Sequence, residues 1–165
     1  MKKLLLIIVV SLFLFNGNSF AQDKKIVKPA ALGNAKLDGY IDECFAIYDK
    51  TFVIEGNLVE SEAAIVEIEA KEAPTKGDII TISAKLKEST NKLEALQTDA
   101  TKLAEKYDEV MKGAKTLTPK TKSFKALKNM KTALNALNTS KKRIPELLKK
   151  AGGQKTRVET VKVLN

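Results

Sequence analysis

The stretch that decides the fold is LDGYIDECFAIYDKTFVIEGNLVESEAAIVEI, residues 37–68. Its apolar and small residues recur at alternating intervals of three and four: Leu37, Tyr40, Cys44, Ile47, Thr51, Ile54, Leu58, Ser61, Ile65 and Ile68. This alternation places all ten on one side of a helix, as in helices that pack in the manner of coiled coils. Asn34 is suited to cap the start of such a helix, and Pro74 and Gly77 are suited to end it. The pattern predicts a first helix over residues 35–72.

The same alternation occurs twice more along the chain. The second run predicts a helix over residues 78–113 and consists of Ile79, Ile82, Leu86, Ser89, Leu93, Leu96, Ala100, Leu103, Tyr107 and Val110. The third run predicts a helix over residues 123–150 and consists of Leu127, Met130, Leu134, Leu137, Lys141, Ile144 and Leu148. Pro145 predicts a kink or restart in the third helix, and Gly152-Gly153 predicts its end. Residues 154–165 then form a C-terminal tail, either a short strand or a frayed end.

These three helices predict an all-α fold. The link around Pro74 is short, which makes the first two helices antiparallel neighbours. The longer link around Pro119 lets the third helix return alongside both. We therefore expect an elongated, antiparallel three-helix bundle of coiled-coil type over residues 34–153. A two-helix hairpin that forms a homo-oligomer is the competing architecture, because a heptad pattern does not fix the number of helices.

The first twenty-one residues have the pattern of a bacterial-type signal peptide. Met1-Lys2-Lys3 is positively charged, Leu4 to Phe15 is apolar, and Ser19-Phe20-Ala21 provides small residues for cleavage before Gln22. The apolar run is shorter than a membrane-spanning helix needs, and no cysteine stands at the cleavage site to carry a lipid. The sequence predicts a periplasmic or secreted protein, not a lipoprotein, without a transmembrane anchor in the mature chain. Residues 22–33 are expected to form a flexible lead.

The charges are distributed unevenly along the chain. Residues 29–75 carry three lysines against ten acids, a net charge of −7, whereas residues 116–165 carry thirteen basic residues against two acids, a net charge of +11. An acidic first helix is attracted to a basic third helix along its length, and this internal pairing is the simpler interpretation. The surplus of positive charge supports a second interpretation, a patch that binds an anionic partner. The candidate residues of that patch are Lys141, Lys142, Arg143, Lys149, Lys150, Lys155 and Arg157.

Two candidate surfaces for partners follow from the sequence. The basic patch suits a protein or an anionic component of the cell envelope, such as lipid head groups or acidic polysaccharide. Nucleic acid is a less suitable partner, because the region offers only Phe124 for stacking on bases. The second surface is an aromatic edge of the first helix, where Phe45, Tyr48 and Phe52 project together beside the heptad positions. A three-helix core also needs a broad apolar arc, so burial of these three rings is the competing interpretation.

The composition argues against an enzyme. The chain has no His and no Trp, so it lacks the usual general base near neutral pH and the commonest metal ligand. Cys44, the one cysteine, lies on the apolar side of the first helix, which favours a buried thiol over a disulfide between two copies. We therefore predict no catalytic, cofactor-binding or metal-binding residues.

These features predict a non-enzymatic, exported helical-bundle interaction protein of the cell envelope. In size, basic charge, export and long helices the chain also resembles periplasmic holdase-type chaperones, whose plan differs in having a small β body with paired helices. That resemblance implies an alternative function, the binding of unfolded or outer-membrane client proteins. The two functions differ in client range, because a holdase prevents aggregation of unrelated unfolded proteins and a dedicated interaction protein does not.

Overall fold

The computed structural model describes residues 25–72 and 74–161 as three packed helices with connecting links. The helices are α1 (Ala35–Ala70), α2 (Lys76–Lys115) and α3 (Lys120–Thr160). Each packs against the other two, and no strand occurs within these residues. The all-helical, three-helix fold is therefore confirmed. The predicted signal peptide lies outside the described residues, as does the end of the predicted tail.

α1 begins at a position where the sequence offers two capping side chains. The Asn34 side chain accepts a hydrogen bond from the backbone N–H of Leu37, and the Asp38 carboxylate accepts one from the backbone N–H of Asn34. Gly33 stands just before them with a φ of 73°, a left-handed conformation that favours glycine. All ten residues of the predicted apolar side of α1 are buried. The interpretation of this helix is confirmed.

α2 begins with a reciprocal cap between two side chains and the backbone. The Thr75 hydroxyl accepts a hydrogen bond from the backbone N–H of Asp78, and the Asp78 carboxylate accepts one from the backbone N–H of Thr75. Eight of the ten predicted positions are buried, and Ile79 and Tyr107 are partly buried against the core. The helix ends at Lys115, two residues beyond its predicted end.

α3 is longer than the sequence predicts. It runs from Lys120 to Thr160 and passes through both Pro145 and Gly152-Gly153. The predicted restart at the proline, the predicted end at the glycines and the predicted tail over residues 154–160 are therefore wrong. In a helix interior, proline costs about 3 kcal/mol and each glycine about 1 kcal/mol relative to alanine. Packing opposes this cost, because the other side of the same stretch is buried at Leu147, Ala151, Gln154 and Val158.

The buried side of α3 is also rotated relative to the predicted one. Met130, Leu137 and Ile144 are buried as expected, but the alternate positions lie one residue earlier. The residues buried there are Ala126, Ala133, Ser140 and Leu147. The residues expected there are only partly buried, except Lys141, which is exposed. The small side chains of Ala126, Ala133 and Ser140 allow the helix axes to approach closely, which explains why these three lie innermost.

Ion pairs show how the chain runs through the bundle. Lys36 near the start of α1 pairs with Glu109 near the end of α2, and Lys71 just after α1 pairs with Asp78 at the start of α2. α2 therefore runs back along α1. The ion pairs between α1 and α3, described below, keep the same order along both helices, so α3 runs in the direction of α1.

Residues 25–33, which we call the lead, lie against the bundle in an extended conformation. Ile26 is partly buried against the core, and its backbone N–H donates a hydrogen bond of 3.0 Å to the Tyr48 hydroxyl. Asn129 of α3 donates a hydrogen bond of 3.0 Å from Nδ2 to the backbone oxygen of Ala30. These contacts tie the lead to both α1 and α3, which corrects the predicted flexible lead over these residues.

Candidate functional site

Arg143 is a buried arginine and does not belong to an exposed basic patch. Only 7% of it is exposed. Its guanidinium pairs with Glu55 of α1 and lies over the ring of Phe52, with Cζ 4.1 Å from the ring centroid. An arginine committed to two residues of α1 is not presented to a partner, so the predicted patch loses this member.

Arg157 joins α3 to two acids of α1. It pairs with Glu62, and its Nη2 lies 2.7 Å from Oε2 of Glu69. Hydrogen bonding to Glu69 raises the pKa of Arg157 above its ordinary value, although burial acts in the opposite direction. Burial acts to raise the pKa of Glu62, but hydrogen bonds from Arg157 and Gln154 outweigh it, so the pKa of Glu62 is lowered. These contacts agree with internal pairing of the acidic and basic helices, and they withdraw Arg157 from the predicted patch.

The lysines of the predicted patch are exposed but widely spread. They are Lys141, Lys142, Lys149, Lys150 and Lys155. At about 100° per residue they cover more than half of the circumference of α3. Lys155 also pairs with Glu159 on the same helix, with Nζ and Oε1 3.8 Å apart. The five lysines therefore do not form one continuous patch.

A narrower set of lysines does share one line on the solvent side of α3. We call Lys128, Lys131, Lys142 and Lys149 the outer basic row. All four are exposed, their directions lie within about 60° of one another, and none forms an ion pair with another described residue. Glu146, also exposed, offsets part of their charge. Lys128 and Lys131 are not among the predicted patch residues, because those residues are close together along the chain. The signal that identifies Lys128 and Lys131 is their direction on a helical wheel.

The aromatic edge of α1 belongs to the core. Phe45 and Tyr48 are only 3% and 1% exposed, and Phe52 is half-buried. The rings of Tyr48 and Phe52 meet edge to face with their centroids 4.9 Å apart. The lead contacts Tyr48, and Arg143 covers Phe52. These three rings therefore do not form a free partner surface, and the core interpretation is confirmed for Phe45 and Tyr48.

Cys44 is a fully buried free thiol on the inner side of α1. Burial raises its pKa to about 11, so the thiol is protonated near neutral pH. Burial also raises the pKa of Tyr40, whose hydroxyl donates a hydrogen bond of 3.1 Å to the backbone oxygen of Leu103. Cys44 thus fills the core as a small apolar side chain, as predicted.

Within residues 25–72 and 74–161, no three His, Cys, Asp or Glu side chains are grouped as a metal ion would need. In the same part of the chain, no helix has the length and apolar character to cross a membrane.

A shallow, open depression lies where the ends of α1 and α3 meet, lined by Ile68, Glu69, Lys71, Glu72, Pro74, Thr160 and Val161.

Comparisons of the chain with protein-family models, with curated proteins and with solved structures each found no match.

Proposed function

We propose that this chain is an exported, non-enzymatic interaction protein of the cell envelope, whose outer basic row binds a partner with repeated anionic groups. The observation that carries the proposal is the row itself, four exposed lysines on one line of α3 that form no ion pair with another described residue, with Glu146 offsetting only part of their charge. Arg143 and Arg157, by contrast, pair with acids of α1. α3 therefore has an inner set of basic residues that holds the bundle together and an outer set available to a partner.

The shape of the row favours an extended or flat partner over a small anion. From Lys128 to Lys149 the helix rises about 32 Å at about 1.5 Å per residue. Small ligands usually bind in concave sites, whereas the outer side of a helix is convex. Acidic polysaccharide and anionic lipid head groups both present negative charges repeatedly over such a distance. Each lysine near an anionic surface contributes about 1 kcal/mol.

The sequence of residues 1–21 supports the proposed location. A signal peptide of this pattern directs a chain to the periplasm or the outside, where both kinds of partner occur. The absence of His from the chain supports a binding role over general acid–base catalysis near neutral pH.

The proposal can be tested by removing the row and comparing the result with an equal loss of charge elsewhere. The test variant is K128Q/K131Q/K142Q/K149Q, and the matched control on α2 is K85Q/K87Q/K102Q/K106Q, whose lysines are also exposed. Binding of the exported protein is measured by co-sedimentation with vesicles that contain phosphatidylglycerol and by equilibrium binding to alginate. We expect the test variant to bind at least one of these about a hundredfold more weakly and the control to change by only a few-fold. Equal losses in both variants, or no binding of the wild type to either probe, would overturn the proposal.

A further inference from the structure

α1 has a second apolar stripe that faces solvent. Of the six large apolar side chains that are exposed in the described part of the chain, three lie on this helix: Val53, Val59 and Val66. We call Gly56, Val59, Ala63, Val66 and Ala70 the outer stripe, because all five are exposed and their spacing alternates between three and four. Their directions on the helix fall within about 80° of one another. An apolar line of this kind on an otherwise charged surface is typical of a binding surface.

Acidic residues border the outer stripe on both sides. Glu62 and Glu69 lie on one side and are already paired with Arg157. Glu60 and Glu67 lie on the other side, are exposed and form no ion pair with another described residue. The open side of the stripe therefore presents two unpaired carboxylates, seven residues apart, to whatever covers the stripe.

The lead already covers the part of this line that lies in the first half of α1. Lys25 pairs with Asp49, with Nζ and Oδ1 3.2 Å apart, and Lys28 pairs with Asp42 at 2.9 Å. The Nζ atom of Lys25 also lies 5.8 Å from the centroid of the Phe52 ring. Phe52 is one of the aromatic residues of α1 that lie on the same line as the outer stripe and continue it toward the start of the helix. The chain therefore shows what this line accepts, a basic and aliphatic segment in an extended conformation.

The spacing of the charges explains how the lead fits. Asp42 and Asp49 are seven residues apart on α1, a rise of about 10.5 Å. Lys25 and Lys28 are three residues apart in an extended segment, which spans about 10 Å. Glu60 and Glu67 repeat the seven-residue spacing on the same side of the helix. They match a second segment with two basic residues three positions apart.

We propose that the outer stripe, together with Glu60 and Glu67, binds an extended, basic and aliphatic segment of another protein, in the same way as the lead binds the first half of α1. The chain's own upstream sequence does not supply such a pair, because the basic residues within residues 1–23 are Lys2 and Lys3, which are adjacent and not three positions apart. A second copy that presented the same stripe would bring glutamates against glutamates, which is unfavourable. This inference goes beyond the proposed function, because it concerns a different helix and a partner of opposite charge.

A peptide with the sequence of residues 22–33, QDKKIVKPAALG, is a direct probe, since it contains the segment that α1 already binds. It is titrated into the isotope-labelled exported protein, and amide shifts are followed by NMR. We expect the shifts to fall on residues 56–70, and a peptide with Lys25→Glu and Lys28→Glu to produce none. Shifts confined to residues 36–52 would mean displacement of the lead and would overturn the proposal, as would the absence of shifts.

Two variants separate the two parts of the surface. V59S/V66S removes the apolar contacts and should weaken peptide binding about tenfold, while circular dichroism checks that the helices persist. E60Q/E67Q alters only exposed side chains and should weaken binding about fivefold, whereas E94Q/E105Q on α2 removes the same charge and should change little. Equal binding by wild type and E60Q/E67Q would overturn the proposal. A rise in mass with concentration that V59S/V66S abolishes would also overturn it, because a second copy would then be the occupant.

Discussion

Arg143 of α3 lies over the ring of Phe52 of α1, with its Cζ 4.1 Å from the ring centroid, while its guanidinium pairs with Glu55 on the same helix. The sequence suggested two separate partner surfaces, a basic patch that included Arg143 and an aromatic edge that included Phe52. The structure brings these two residues together as one internal contact. The basic residues that remain available to a partner are therefore the lysines on the outside of α3.

Replacing Arg143 with alanine should destabilise the protein. The substitution leaves the carboxylate of Glu55 unpaired beside the core and uncovers Phe52, so we expect the free energy of unfolding to fall by about 2–3 kcal/mol. Lys142→Ala is the matched control, because Lys142 is the residue next to Arg143 and its side chain is exposed. This substitution should change stability by less than about 0.5 kcal/mol. Urea denaturation followed by circular dichroism measures both. Equal stability of the two variants would contradict the role given to Arg143.

The pairing of Glu62 with Arg157 should make stability depend on acid. The pKa of Glu62 is lowered in the folded state from its ordinary value of 4.5, so the unfolded chain takes up this proton more readily. The pair therefore contributes its full stability above pH 4.5 and loses it as the pH falls through the folded pKa. The pair is partly exposed, so its contribution is small. We expect the fall in the free energy of unfolding between neutral and acid pH to be about 0.5–1 kcal/mol smaller in Glu62→Gln than in the wild type.

Urea denaturation at neutral pH and at a pH below 4.5 checks this expectation. Glu60→Gln, at an exposed position two residues before Glu62 on the same helix, serves as the control and should lose as much stability in acid as the wild type. The same acid-induced loss in the wild type and in Glu62→Gln would show that this pair does not determine the acid response.

Cys44 should react slowly with thiol reagents while the protein is folded. The thiol is fully buried and its pKa is raised to about 11, so both access and the thiolate fraction are low. We expect the rate of modification to be about a hundredfold lower than in denaturant, and a non-reducing gel to show monomer. Rapid modification without denaturant, or a disulfide-linked dimer, would contradict this placement.

The register of α3 can be tested at Ala133, which is fully buried although the sequence predicted Leu134 in its place. Ala133→Leu should overfill the space between the helices and lower the free energy of unfolding by about 1–3 kcal/mol. Asn135→Leu introduces the same side chain at an exposed position and should change stability by less than about 0.5 kcal/mol. Thermal and urea denaturation report both, and a neutral Ala133→Leu would support the predicted register instead.

The number of helices and the inner side of α1 could be predicted because large apolar residues repeat there without interruption. The inner side of α3 could not be predicted in the same way, because Ala126, Ala133 and Ser140 contribute little to a hydrophobic pattern and the leucines beside them contribute more. The predicted face also contained Lys141, an inconsistency that indicated the wrong register. Small residues become innermost through close packing of helices, which a single helical pattern does not reveal.

The contacts of the lead could not be predicted from a local pattern, because they join distant parts of the chain. The same is true of the division of the basic residues of α3 into an inner, paired set and the outer basic row. Asn129 and Ala30, for example, are 99 positions apart. One signal was nevertheless present in the sequence, since Arg143 and Arg157 are the two arginines of a chain otherwise rich in lysine. Arginine suits ion pairs at an interface because its guanidinium is planar and weakly hydrated, whereas lysine favours solvent. That difference separates the inner basic residues from the outer row.

The most direct test of the central claim is the affinity of residues 22–165 for alginate and for phosphatidylglycerol vesicles, measured from low to high salt. We predict that the wild type binds at least one of them at low salt and weakens steeply as salt rises, because several lysines act together. K128Q/K131Q/K142Q/K149Q should bind that partner weakly at every salt concentration, while K85Q/K87Q/K102Q/K106Q should follow the wild type. Identical salt curves for the two quadruple variants would contradict the claim that the outer basic row of α3 is the binding surface.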